Sequence, residues 1–208
     1  MLYIFDEIES LDDDFPEEMI SLLSDERRDK VKRHRYKTGK KSSAVVYLLL
    51  RLGLLEEYGI NEAVVFDYLE KGKPVLRYHP KIHFSLSHSN NAAACVVADS
   101  EVGVDVQNIR EVTDNAAKRA LTIAEYDIFK NHKDPYEYFC EIWAVKESVY
   151  KKTGQGIAAD FREVSANEVI DKLVIRNKDY YCCVCGEFAQ KIQVKYIGRE
   201  DFGKLLSR

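Results

Sequence analysis

The chain has 208 residues, 46% hydrophobic and 32% charged, with a formal net charge of −4. That balance excludes a disordered chain and a general polyanion-binding coat, and the longest apolar stretch, residues 44–50, is far too short to span a bilayer. Five Cys, an odd number, and a start lacking the basic and small-residue signals of a secretory leader predict a cytoplasmic protein with reduced thiols.

In chain order, residues 16–35 are predicted as one helix with Pro16 in its first turn. A second helix is predicted over 39–58, where Val45, Leu48, Leu49, Leu52 and Leu55 recur at helical spacing and Gly-Ile-Asn at 59–61 supplies a stop. Residues 63–69 predict a strand, followed by the Lys-Gly-Lys-Pro turn at 71–74. Further strands are predicted over 83–86, 92–98 and 102–106, and helical structure over 115–130, in one piece or two. Residues 135–152 predict a long helix stopped by Thr-Gly-Gln-Gly at 153–156. The remainder, around 163–164, 173–175, 181–185 and 191–196, predicts a meander of strands. Both halves run helices first and then strands, which predicts an α+β fold of two similar lobes. Cys182, Cys183 and Cys185 fall in an apolar strand pattern with no second pair at zinc-site spacing, so they are predicted to be structural.

The two most informative residues are acids. Asp105 stands in Gly103-Val-Asp-Val-Gln107, on a strand, and Glu147 stands on the long helix, on one arc with Trp143 and Lys151. Carboxylates presented by separate rigid elements suit a hard cation such as Mg²⁺, which takes oxygen ligands and shares them with phosphates. The plainer reading of Glu147 and Lys151 is a surface pair adding only ~0.3–0.5 kcal/mol. Ser85-Leu-Ser-His-Ser89 gathers hydroxyls and an imidazole that can all donate to an anion; a Ser-rich turn with a solvated His is the alternative. No Gly-x-Ser-x-Gly elbow surrounds these serines, so a Ser-His-Asp hydrolase is discarded.

Charge is unevenly spread. Residues 27–41 contain nine Lys or Arg and one acid, Asp29, a local +8 that leaves −12 on the rest of a −4 chain. Such a run is either a solvated face or a contact for a phosphate-rich ligand. A nucleic-acid binder is the reading from another class; the acidic remainder and the lack of interleaved aromatics, Tyr36 apart, argue against it.

Order and spacing then combine. A basic helix end, Gly-Lys-Pro, Ser-His-Ser, Gly-Val-Asp and Trp-Ala-Val-Lys-Glu-Ser-Val-Tyr-Lys over 143–151 occur in succession. This set resembles the 4′-phosphopantetheinyl transferases of the single-chain, two-lobed, surfactin-synthetase-activating class, over about residues 24–157. The resemblance implies two pseudo-symmetric α/β lobes, here 1–100 and 101–208, with coenzyme A in the cleft between them. It implies transfer of phosphopantetheine to a serine of an apo acyl carrier protein or peptidyl carrier domain, by a monomer, with no nucleic acid or membrane. Asp105, Gln107 and Glu147 match the Mg²⁺ positions. Ser87, His88 and Lys151 match phosphate contacts, and Lys73 and Pro74 match the turn along the nucleotide. Arg27, Lys30 and Arg51 fall where the family places basic contacts, and Glu125 matches an acid that helps deprotonate the incoming hydroxyl. Gln107 replaces an acid found in many relatives; its carbonyl can ligate but brings no charge, which bears on metal affinity and on any preference for Mn²⁺. A member that binds coenzyme A without catalysis is the remaining alternative, disfavoured by the intact Asp105, Glu147 and Lys151.

Overall fold

The computed structural model describes residues 1–155 and 160–206. The end of the expected helix stop, Gly156, and the end of the resemblance, Ile157, lie outside the described residues. The chain opens with strand β1 (Leu2–Phe5), buried on both faces. Tyr3 and Phe5 point into one core while Leu2 and Ile4 point into another. Because strand side chains alternate, this sheet has to be covered on both sides.

The single helix expected over 16–35 is broken into α1 (Phe15–Glu18), a 3₁₀ turn at Ile20–Leu22 and α2 (Asp25–Arg33). Leu22 and Leu23 turn into the core, and Ser24 starts α2 afresh by accepting the Arg27 N–H at its side chain, 3.4 Å. α3 (Lys37–Tyr58) is buried almost throughout and stops at Gly59, whose φ of 69° closes the helix in the left-handed conformation. After it come the hairpin β2 (Phe66–Tyr68) and β3 (Pro74–Leu76), then β4 (His83–His88), β5 (Ala93–Ala98) and β6 (Val102–Asn108). Next are α4 (Asp114–Ala120), α5 (Ile123–Asn131) and α6 (Pro135–Thr153). β7 (Lys172–Arg176), β8 (Tyr180–Gly186) and β9 (Val194–Tyr196) complete the strands. Around 163–164, where strand is expected, Glu163 instead closes a 3₁₀ turn over Phe161–Glu163 with Val164 at its end.

Two sheets form the centre: β4-β5-β1-β9 and the antiparallel β6-β8-β7. α3 covers the first sheet through Tyr3, Phe5, Cys95 and Val97. The second face of that sheet, with Leu2, Ile4, Ala94 and Val96, packs on Val102, Val104, Val106, Cys182 and Val184 of the other sheet. Cys183 and Cys185 then face α6 with Val145 and Ile142. The layers therefore run helix, sheet, sheet, helix, and this α+β arrangement explains why the Tyr-Tyr-Cys-Cys-Val-Cys run shows no alternation. Every cysteine is a free, buried thiol.

The last described segment does not stay with the second half of the chain. β9 runs parallel to β1, pairing Ile4 with Tyr196, and Phe202 packs between Phe5 and Phe15 at 5.8 and 6.1 Å. Among the described residues no helix is long and apolar enough to cross a membrane.

Candidate functional site

The seam between the sheets brings the acids together. Ser85 and Ser87 alternate with Phe84 and Leu86 along β4, so both hydroxyls face β6. Ser85 Oγ accepts the Val104 N–H at 3.0 Å and Ser87 Oγ accepts the Val106 N–H at 3.1 Å, so two hydroxyls stand in for a backbone ladder across the seam. On β6, Val102, Val104 and Val106 point into the inter-sheet core, which turns Gly103 and Asp105 toward α6. There Gly103 lets the helix approach, and Glu147 and Lys151 stand one turn apart.

Asp105 is 2% exposed and surrounded by donors. Its Oδ1 accepts from Lys151 Nζ at 2.6 Å and from Ser87 Oγ at 2.8 Å, while Oδ2 accepts from Gln107 Nε2 at 2.7 Å. Lys151 Nζ also donates to Ser87 Oγ at 2.9 Å. Glu147 differs: half-buried, it accepts no hydrogen bond among the described residues, and burial followed by the nearby Asp105 charge raises its pKa. It shares the wall of a cavity of about 460 Å³ with Lys73, Pro74, Leu86, Lys151 and Phe161.

These residues fit a hard cation. Two carboxylates and the Gln107 carbonyl are oxygen donors, and the Glu147 oxygens are uncommitted. Among the described residues no three His, Cys, Asp or Glu cluster at metal-binding distance. A Mg²⁺ ion held by Asp105 and Glu147 would therefore need oxygens from a phosphate or water, as Mg²⁺ usually does.

Beside this cluster lies a ring of cations. The His88 imidazole is pushed down to about 4, by burial and then by Lys151, His34, Lys30 and Arg27. The residue keeps an exposed surface, so solvent weakens both the burial effect and the charge repulsion. Lys30 is likewise lowered, by burial and then by Arg27. Arg27 itself is buried, with its guanidinium over the Tyr47 ring at 5.2 Å. Part of the rest of the basic run is already paired: Arg28 with Asp25 and Lys37 with Asp13 at the surface, while the buried Lys41 donates to the Leu11 carbonyl.

Three expected site residues already have partners within the protein. Arg51 is buried and bonds the Leu22 and Asn61 carbonyls at 2.9 and 2.5 Å, tying α3 to its neighbours, so its guanidinium is not offered to a ligand. Lys73 reaches over the cavity rim to donate to the Lys152 carbonyl at 2.5 Å, with its stem against Gly154; a cation there matches the negative end of α6. Glu125 is 1% exposed, and its two oxygens take the Thr122 and Ala166 N–H groups and the Lys146 ammonium. A carboxylate so saturated is poorly suited to accept the nucleophile's proton, the role the resemblance implies for it. Conversely, Gly103, Tyr150 and Phe161 shape the site without being predicted as site residues. Gly103 was legible as a close-approach glycine in a strand; the two aromatics carried no signal.

A family profile described as the 4′-phosphopantetheinyl transferase superfamily matches residues 101–191. A 4′-phosphopantetheinyl transferase of Bacillus subtilis is 32% identical over 143 residues, covering 67% of this chain and 64% of the relative. One from Bacillus pumilus is 32% identical over 145 residues, 68% of this chain and 62% of its own. A holo-[acyl-carrier-protein] synthase of a Shewanella strain is 38% identical over 63 residues, 27% of this chain and 50% of its own. The chain thus spans just under two thirds of the length of the Bacillus relatives it matches. It belongs to the 4′-phosphopantetheinyl transferase superfamily. Within it, the longest of these similarities are to the Bacillus transferases.

Proposed function

We propose that this chain transfers the 4′-phosphopantetheine moiety of coenzyme A to a serine hydroxyl of an apo acyl or peptidyl carrier protein, releasing 3′,5′-ADP. The observation that carries this reading is the meeting of Asp105, Glu147 and Lys151 beside the Arg27 and Lys30 cations, whose field also reaches the neutral His88 imidazole. Acids facing one another suit a cation, and cations facing one another suit a phosphate. Coenzyme A supplies several anionic phosphates.

Asp105 and Glu147, with the Gln107 carbonyl, would hold Mg²⁺, or Mn²⁺ in its place. When bound, the ion offsets phosphate charge and polarises a phosphoryl oxygen. The chain's own residues do the remaining work. Lys151, already placed by Asp105 and Ser87, neutralises the diphosphate, and the ring around His88 anchors the nucleotide end. The serine oxygen forms a bond to the β-phosphorus as the bond to the leaving 3′,5′-ADP breaks. The hydroxyl proton needs an acceptor within hydrogen-bond reach; Glu147 has uncommitted oxygens, whereas Glu125 has none. Because both walls of the cleft come from one chain, we take the active form to be a monomer, and the reduced cysteines to indicate the cytoplasm.

The test is mass spectrometry of an apo carrier protein incubated with this chain, coenzyme A and Mg²⁺. The expected result is a mass gain of one phosphopantetheine, abolished by EDTA. No gain on either an acyl or a peptidyl carrier, with coenzyme A still raising the thermal midpoint, would support a binder without catalysis.

A further inference from the structure

Lys146 precedes the cleft residue Glu147 in sequence but, about 100° round α6 from it, is fully buried. Its ammonium spends all three protons inside the protein, on Glu125 Oε2 at 2.6 Å, the Ala120 carbonyl at 2.8 Å and the Phe161 carbonyl at 2.9 Å. Glu125 answers from α5. Its Oε2 also accepts the Thr122 N–H and its Oε1 the Ala166 N–H, each at 2.8 Å. One buried ion pair therefore ties together the end of α4, the start of α5, α6 and the segment 161–166.

What this junction holds is Phe161. Its ring lies 4.5 Å from Trp143 and 4.8 Å from Tyr150, centroid to centroid. The ring lines the cavity that holds Glu147 and Lys151, and also the neighbouring groove over α4. A second tether, Tyr150 Oη to the Asp160 carbonyl at 2.7 Å, fixes the same turn. Nothing else about Glu125 or Lys146 faces the cleft.

We propose that Glu125 and Lys146 are positioning residues, a buried clamp that seats Phe161 as a wall of the cleft, and that neither exchanges a proton with the substrate. This rests on the coenzyme A reading of that cleft. In it, Phe161 bounds the space next to the reacting phosphate, and the clamp acts on turnover only through the ring.

The chain's one tryptophan makes this testable without substrate. Trp143 lies tilted against Phe161, 4.5 Å between ring centroids, so its emission reports the seat of that ring. Glu125→Gln, Lys146→Met and Phe161→Leu are compared with the wild type by Trp143 emission in the ligand-free protein, and by kcat, KM for coenzyme A and the pH profile of kcat. The expected result is a shifted emission in all three, with kcat/KM lowered by up to about 10²-fold, the cost of a misplaced positioning group. The loss falls on KM, and the pH profile keeps its acidic limb.

Wild-type emission in Glu125→Gln, with kcat down by roughly 10²–10⁴-fold and the acidic limb gone, would make Glu125 the base and overturn the proposal. So would Phe161→Leu with wild-type kinetics. Phe161 is part-exposed, so that variant decides the matter if the buried substitutions fail to fold. Failure of the wild type to modify any carrier would instead sink the transferase reading and leave the emission result standing.

Discussion

A methyl group on Gly103 would stand 1.9 Å from the Ser148 carbonyl oxygen and 2.5 Å from the Lys152 amide nitrogen. Both are helix backbone, which cannot swing aside as a flexible side chain can. The bare Cα of Gly103 thus sets how near α6 lies to β6, and Asp105, two residues on and on the same face, reaches Lys151 because of it.

Gly103→Ala should therefore separate strand and helix. Overpacking of this kind costs typically 1–3 kcal/mol, and a clash with backbone belongs at or above the top of that range. The thermal midpoint should fall, and transfer activity should fall further than stability alone explains at a temperature where the variant is still folded. An alanine variant with wild-type activity would show that α6 can adjust without moving the site.

Lys151 and Asp105 form an ion pair in which the acid is buried and the lysine side chain 30% exposed. Lys151→Met leaves the Asp105 charge with only Ser87 and Gln107, and should cost about 3 kcal/mol, the low end for breaking a buried pair because Lys151 is partly solvated. Adding Asp105→Asn should recover much of that stability while leaving the protein inactive. Chemical denaturation of the two single variants and the double variant completes the cycle.

Gln107→Glu reverses one hydrogen bond into a repulsion, since Gln107 now donates to Asp105. The metal-free variant should melt below the wild type, and the Mg²⁺ concentration for half-maximal transfer should drop because a third negative ligand has been added. A variant with unchanged Mg²⁺ dependence would place residue 107 outside the metal's reach.

The His88 imidazole, depressed to about 4 from an ordinary 6.5, gives a pH signature. A depressed group contributes stability above its unfolded pKa and loses it as pH falls. Between about pH 6.5 and 4 the ligand-free wild type should lose stability relative to His88→Gln. Bound coenzyme A, by supplying negative charge to the ring, should raise the pKa and reverse that trend. Thermal midpoints across this range, with and without coenzyme A, read both signs. Parallel curves for wild type and variant would mean that the ring titrates free of its neighbours.

Much of this was readable from the sequence where the determinants are local. The helical spacing of 39–58 and 135–152 and the valines flanking Asp105 located α3, α6 and β6 within a few residues, because one apolar stripe per element decides each. The helix at 16–35 failed where Leu22 and Leu23 are drawn into a core assembled by distant strands; Ser24 as a fresh cap was the overlooked sign. Glu125 invited a chemical role, although Thr122-Ile-Ala-Glu125 is a capping-box pattern and the structure forms that box. Arg51 and Lys41 misled for another reason. Their partners are backbone carbonyls, and no sequence pattern reveals which carbonyls a fold leaves unpaired.

Phe202 was illegible for a related reason, since the core it fills is built by Phe5 and Phe15. Phe202→Ala should destabilise by about 3–5 kcal/mol, as for other buried aromatics. Hydrogen exchange should place the loss in β1 and α3 before β6 and α6.

The parallel pairing of β1 with β9 also has a biosynthetic side. During translation β1 can acquire β5 early, but its other edge stays open until Val194 has emerged. About a hundred residues separate Ala98 from Val194, so at 5–20 residues per second that edge waits roughly 5–20 s. An open, fully apolar strand is a template for pairing with a neighbouring chain. The nascent protein is thus most in need of a chaperone while β1 waits for β9, and any ribosome stall before Val194 lengthens that exposure.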